Sequence, residues 1–511
     1  MNTQAQPDGR SRLSRNAFLA LATQALPLVV GIISMPLLVR YLGPERVGLL
    51  SMIWILVSYF SVLDIGISSA VTRSVSIALA TGGDALQLRA AFWSAASLQA
   101  AMGVLGSFAI LLAAPPLVSG VLRVPPSMRG EALSALRMCF AVLPVVLVSG
   151  SVTGLLQAAQ RFDTLARIQL PCSTAQYALP PLLAVAGTGL PAIVAAIVAV
   201  RVVSLAAMLW SASSQFPGLL HPIRIRREEV RSLLVFGTWA AVSSIVSPVA
   251  VYADRFLIAN RLSLADVAYY SVPLDAAMRL LLFSSALATV LFPALSKMTA
   301  TGRLSEANAV VRASVRYMIC STGLPCVLIA LFAHEFLRIW LGAGFASHST
   351  AALRLLLVGV FANSIARIPY ALLWSLGSPR IPALLQVVGL PVQIAAALFL
   401  MARFGISGAA SAWSGRLLLE TFALFYFARR RSQLSLKHTL AESRGILATL
   451  AFLLIVGAAS QRWTSPAISM RLLSAVVLGA VGVTLVWRFA LTSRDRLMLR
   501  VGLLGRRAGG P

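Results

Sequence analysis

Apolar residues run in blocks of about 20, separated by short polar or basic turns, from one end of the chain to the other. Wound as helix, such a block crosses roughly 30 Å of hydrocarbon. The blocks predict crossings near 17–39, 47–69, 90–118, 132–157, 168–188, 190–214, 233–258, 267–295, 314–341, 351–375, 381–402, 406–428, 446–462 and 470–490. The first continues to Val39, past the ~7–15 residues of a cleaved signal, and predicts a retained helix. No polar stretch between blocks is long enough for a soluble domain. The pattern predicts an all-α polytopic membrane protein with about 14 transmembrane helices.

Composition agrees. Of the 511 residues, 58% are hydrophobic and 12% charged, too few to clothe a soluble fold of this size. The net charge of +27 is almost all arginine, only Lys297 and Lys437 being lysine. An arginine bias of this kind often reflects genomic base composition, so its distribution says more than its total. Basic residues crowd the amino terminus, the segment 221–231 (HPIRIRREEVR), the loop 297–316, the loop 429–444 and the tail from Arg488, whereas GTGLP (187–191) has none. By the positive-inside rule both termini are cytoplasmic. These segments hug membrane ends and offer no aromatic stacking platform, which argues against nucleic acid and for membrane lipids as partners. The four cysteines lie in or beside apolar segments and read as small buried hydrophobes. The four histidines have no metal-ligand spacing, and no phosphate loop, nucleophile elbow or cofactor fingerprint occurs. No metal or cofactor is expected.

The chain also repeats itself. LGPERVGLLS (42–51) aligns with LSLADVAYYS (262–271), ALR (135–137) with ALR (352–354), IQLPCSTAQ (168–176) with LQVVGLPVQ (385–393), and GLPA (189–192) with GISG (405–408), in the same order and at nearly one offset. This predicts two homologous six-helix bundles, 1–215 and 232–430, joined by a basic cytoplasmic linker at 216–231. Residues 431–511 supply two additional helices and a basic tail. Duplicated bundles commonly enclose a central cavity with a substrate site near the membrane midplane, worked by alternating access.

Five stretches carry a family resemblance: VRYLGPERVGLLSM (39–52), DIGISSAVTR (64–73), LLQAAQRFDTL (155–165), YADRFLIANRLSLADVAYYSV (252–272) and LFPALSK (291–297). Together, and in this order, they resemble the Wzx-type polysaccharide transporters of the multidrug/oligosaccharidyl-lipid/polysaccharide exporter superfamily. The resemblance implies movement of a polyprenyl-pyrophosphate-linked oligosaccharide between leaflets of the bacterial inner membrane. Partners it implies are a polymerase and a chain-length regulator. A lipid II flippase or a multidrug or ion antiporter of the same superfamily is the nearest alternative. A membrane glycan polymerase or ligase would need a sizeable outer loop with catalytic residues, and the outer connections are short.

Charges inside the apolar blocks are the candidate chemistry. Arg416 and Glu420 stand i,i+4 and can pair along one helical face, as can Asp275 and Arg279. Arg201 follows Gly189 at nearly the distance by which Arg416 follows Gly405, so each half presents an arginine at similar depth. Arg367, near Pro369, has Gly150 at the corresponding place. A mid-membrane arginine costs ~2.5–3.5 kcal/mol and should face a cavity or partner. Its planar fork suits phosphate oxygens. Arg201, Arg279, Arg367 and Arg416 are therefore substrate candidates, or, in the paired cases, fixtures of helix packing. Asp275 and Glu420 are candidates for coupling to an ion gradient. Asp64, by the family motif it matches, is a third, or else pairs with Arg73. Gln169 and Gln176 share one helical face, as do Gln386 and Gln393, and suit either sugar hydroxyls or helix–helix hydrogen bonds. Asp254 and Arg255, being adjacent, point different ways, and snorkelling accounts for Arg40 and Arg46.

Overall fold

The computed structural model describes residues 9–60, 67–80, 85–219, 252–463 and 468–490. Asp64 and most of the basic linker lie outside the described residues. Among those described there is helix and no strand. Hydrocarbon supplies no water to satisfy backbone groups, so apolar blocks close their hydrogen bonds internally as helix. Nine helical stretches among the described residues are long and apolar enough to cross a membrane. The chain divides into two compact units, Met1–Ala268 and Tyr269–Pro511.

The first unit comprises α1 (Gly9–Phe60), α2 (Ile67–Ala80), α3 (Ala85–Pro116), α4 (Arg129–Met138), α5 (Val142–Ala158), α6 (Phe162–Val185), α7 (Leu190–Gln215), α8 (252–261) and the start of α9 (Leu264–Met278). A straight helix of 52 residues would span about 78 Å, more than twice the hydrocarbon thickness. Gly43, in the left-handed region at φ 78°, breaks α1 into two helical limbs. Val75, Phe92, Ala95, Leu155 and Ala212 bring α2, α3, α5 and α7 into one core.

Polar ties hold the ends of these helices. Arg46 Nε donates to Glu131 at 3.0 Å, and Glu131 also accepts from the Leu190 amide at 2.8 Å. Snorkelling is therefore an incomplete account of Arg46. Trp93 Nε1 donates to the Leu219 carbonyl at 2.7 Å, fixing the chain just after α7. Asp254 and Arg255 are both buried, Arg255 stacking on Tyr252 at 5.3 Å. At the start of α6, burial pushes the Asp163 carboxyl up. The Thr164 amide and the charges of Arg161 and Arg167 outweigh this and hold it below the usual carboxylate range.

The second unit continues α9 and adds α10 (Leu281–Ala300), α11 (Leu304–Met318), α12 (Leu324–Leu331), α13 (Ala333–Leu341), α14 (Ala343–Ser375), α15 (Arg380–Ser432), α16 (Leu436–Trp463) and α17 (Ile468–Leu485). α15 runs 53 residues and is broken at Gly405, φ 53°. Its two limbs fold back on each other, Gly389 on one lying against the stem of Arg416 on the other. Leu295, Val311, Leu372, Ala428 and Ile446 form a core from α10, α11, α14, α15 and α16. The two terminal helices dock on the rest of this unit: Arg471 pairs with Glu335, and the Gln461 amide donates to the Leu331 carbonyl. Large side chains stand exposed on the outer faces, Phe422 and Ile455 at 70% each, as lipid-facing helices require.

Candidate functional site

Inside the second unit, α10, α14 and both limbs of α15 enclose a cavity of about 500 Å³. Its polar wall is Asn363, Arg367, Gln386 and Glu420, and its aromatic wall Phe292, Tyr370 and Trp374. The fold-back at Gly405 brings Gln386 and Glu420 to the same level from opposite limbs. Arg416 Nη1 donates to Glu420 Oε2 at 2.7 Å, with the two side chains only 10% and 11% exposed. The Gln386 amide makes a second hydrogen bond to the same carboxylate. The stem of Arg416 lies over Gly389, where no side chain intervenes.

Arg367, from α14, donates through Nη1 to Ser285 Oγ at 3.1 Å. Its Nε is buried without a hydrogen-bond partner, and so is that of Arg416. Glu420 thus neutralises Arg416, while Arg367 has only the Ser285 hydroxyl, which leaves one positive charge without a carboxylate among the described residues. Buried donors of this kind are costly unless an acceptor arrives. A phosphate oxygen is the acceptor that guanidinium geometry fits best.

The site is deep. Glu420 and Arg416 precede the interfacial cluster Arg429–Arg431 by about 13 Å and about 20 Å at 1.5 Å per residue. The hydrocarbon half-thickness is roughly 15 Å, so the pair lies near the middle of the span. Tyr370 and Trp374 stack with centroids 5.6 Å apart and planes 21° from parallel. Sequence reading missed both, although Arg367, Tyr370 and Trp374 fall at i, i+3 and i+7, on one helical face.

The structure therefore brings together Arg367, Gln386, Arg416 and Glu420 of the expected residues. Gln393, seven residues from Gln386, is fully buried and does not line this cavity. Nor do Asp275 and Arg279. The helix carrying Asp275 ends at Met278, and Arg279 sits exposed in the two-residue break before α10. The helix expected over 267–295 is thus interrupted at Arg279 and Leu280. In the first unit, Gln169 and Gln176 are half-buried on α6. Arg201, on α7, has Tyr177 and Cys139 as its electrostatic neighbours, and its Nε is buried with no hydrogen-bond partner among the described residues. No group of three metal-ligating side chains occurs among the described residues.

Stacked crossings, long broken helices and a mid-span charge cluster define a multi-pass membrane transporter. The chain overlays a multidrug resistance MATE transporter of the MOP superfamily, in an inward-facing conformation, with a TM-score of 0.70 at 13% identity. That overlay covers 81% of this chain and 98% of the other. The lipid II flippase MurJ, in an inward closed conformation, also gives 0.70, at 12% identity over 92% of this chain and 99% of that one. These likenesses establish the fold. A protein named "Putative O-antigen transporter" from Shigella flexneri is 26% identical over 418 residues, 81% of this chain and 97% of that protein. Residues 37–350 match the family described as polysaccharide biosynthesis protein, and the chain belongs to that family. Its relatives are transporters and flippases rather than enzymes.

Proposed function

We propose that the protein is a flippase carrying a polyprenyl-pyrophosphate-linked oligosaccharide from the cytoplasmic to the outer leaflet of a bacterial plasma membrane, for assembly of a surface polysaccharide. The observation that carries this reading is the cavity lined by Arg367, Glu420 and a stacked aromatic pair, with Arg416 paired to that carboxylate beside it. A pyrophosphate leaving water needs fixed positive charge at depth, and Arg367 and Arg416 supply it. The flat faces of Tyr370 and Trp374 suit the apolar faces of sugar rings. Arg201 contributes from the first unit, and Arg279 stands at the break in its helix. Glu420, with Asp275 and Asp64, is the proposed coupling group for a proton or sodium ion. Fourteen crossings, the duplicated six-helix plan, alternating access, cytoplasmic termini, and cooperation with a polymerase and chain-length regulator complete the proposal.

The test is transport by purified protein in liposomes. A polyprenyl-pyrophosphate oligosaccharide should change leaflets with its covalent structure intact. A longer glycan made by this protein alone would replace the flippase with an enzyme. Movement of lipid II or of a cationic drug in place of this substrate would move the protein to another branch of the superfamily. Reporter fusions after Arg227 and Arg431 should signal cytoplasm and those near Gly187 and Ser347 the outside, and inverted signals would overturn the orientation.

A further inference from the structure

A second opening adjoins the polar cavity. A furrow of about 380 Å³ separates the two limbs of α15, bordered by Leu385 to Leu400 on one and Ser411 to Ala423 on the other. The stretch from Leu385 to Leu400 is about 22 Å long at the helical rise, most of the way across hydrocarbon. The furrow exists because Gly389, Ala396, Ala412 and Gly415 face it and withhold side-chain volume. Val388, Val392 and Leu419, each more than half exposed, form its rims. Nearly all of its lining is apolar, and its charge is confined to Arg416 and Glu420. Glu420 lines the polar cavity as well, so the two openings meet at that carboxylate.

We propose that this furrow seats the isoprenoid chain of the lipid carrier while the pyrophosphate lies against Arg367 and Arg416, the two openings forming one site for one amphiphile. The proposal rests on the substrate reading given above and adds where the chain goes. Three observations select this occupant. The apolar furrow is continuous with the cationic cavity, which matches an anionic head on a long hydrocarbon tail. Arg416 carries a buried Nε with no hydrogen-bond partner at that junction, in a side chain only 10% exposed. Along the helix, the junction at Glu420 lies about 13 Å inward of Arg429–Arg431, and Arg416 beside it about 20 Å. A resident phospholipid keeps its phosphate at the interface, so an anion held at this depth belongs to a lipid in transit.

The test is photolabelling of the full-length protein in nanodiscs with a prenyl pyrophosphate bearing a diazirine on its chain. Label should concentrate in 385–400 and 411–423, and excess inorganic pyrophosphate should displace it by competing for the head site. A phosphatidylglycerol probe with the same diazirine should not favour the furrow over 436–463. Ala396→Phe, which fills the furrow away from the charges, should cut oligosaccharide flux at least tenfold while inorganic pyrophosphate binding stays within twofold. Thermal unfolding checks its folding, and Ser411→Leu serves where the larger residue is not tolerated. Even labelling of all lipid-facing helices, equal labelling by the phospholipid probe, or full flux in a folded furrow-filled variant would overturn the proposal. Furrow label that pyrophosphate does not displace, with no pyrophosphate binding by the wild type, would instead overturn the head-site reading and leave the chain site standing.

Discussion

Arg201 and Arg416, which the sequence alignment pairs, have different surroundings. Arg416 has a carboxylate four residues on, and that carboxylate is further held by Gln386. Four residues on from Arg201 stands Leu205, and the arginine's Nε is buried with no hydrogen-bond partner among the described residues. Arg416 is therefore neutralised from its own helix, whereas Arg201 has no carboxylate paired with it among the described residues. Helix packing needs no charge at either position, so packing alone does not explain why Arg201 is present. Under the proposed function, Arg201 would attract the anionic head and Arg416 would be released from Glu420 to meet it.

The sharpest way to break this comparison is to unmask or delete the pair. Arg416→Leu strands the Glu420 carboxylate and should destabilise the protein by about 3–5 kcal/mol. The double variant Arg416→Leu, Glu420→Leu should recover most of that, because both buried charges leave together. Thermal unfolding in detergent reads the recovery. Flux at matched membrane levels should nevertheless stay at least tenfold down in the double variant. Near-normal flux would reduce the pair to a packing device.

A smaller effect comes from making the halves alike. Leu205→Glu places a carboxylate i,i+4 from Arg201, in the same register as Glu420 to Arg416. It should pair with the arginine and lower flux several-fold with little loss of folded protein. Unchanged flux in a folded variant would mean that the charge of Arg201 is not used.

The smallest concerns the starts of α6 and α15. α6 begins with Asp163 in its first turn, where a carboxylate suits the helix dipole, whereas α15 begins with Arg380. Since the folded state holds the Asp163 carboxyl below its ordinary value, its stabilisation is complete above the unfolded carboxylate range and is lost as pH falls through the folded value. Asp163→Asn should therefore cost under about 1 kcal/mol near neutrality, a difference vanishing in acid. A difference that persisted at low pH would assign the effect to packing instead.

Much of this was legible along the chain. The crossings 381–402 and 406–428 coincide with the limbs of α15, because apolar length and a glycine between blocks are local signals. The Arg416–Glu420 pair was legible for the same reason, as helical periodicity alone sets i,i+4 contacts. The acceptor of Arg367 was not, since Ser285 lies 82 residues away. Gln386 could be placed on a face, but its hydrogen bond to Glu420 depends on how far α15 folds back. The tie between Arg46 and Glu131 spans 85 residues and left no periodic trace. The break at Arg279 has neither glycine nor proline at the interrupted positions, so nothing local announced it.

Gly48 sets how closely two helices can lie. A methyl group there would collide with the backbone carbonyl of Leu264 and approach the Ala268 amide at 3.4 Å, so α1 and the start of α9 touch almost backbone to backbone. Such a crossing has no room for a side chain at this position, and any larger residue must part the two helices. The spacing of α1 from α9 is thus fixed by a side chain that is missing rather than by one that is present.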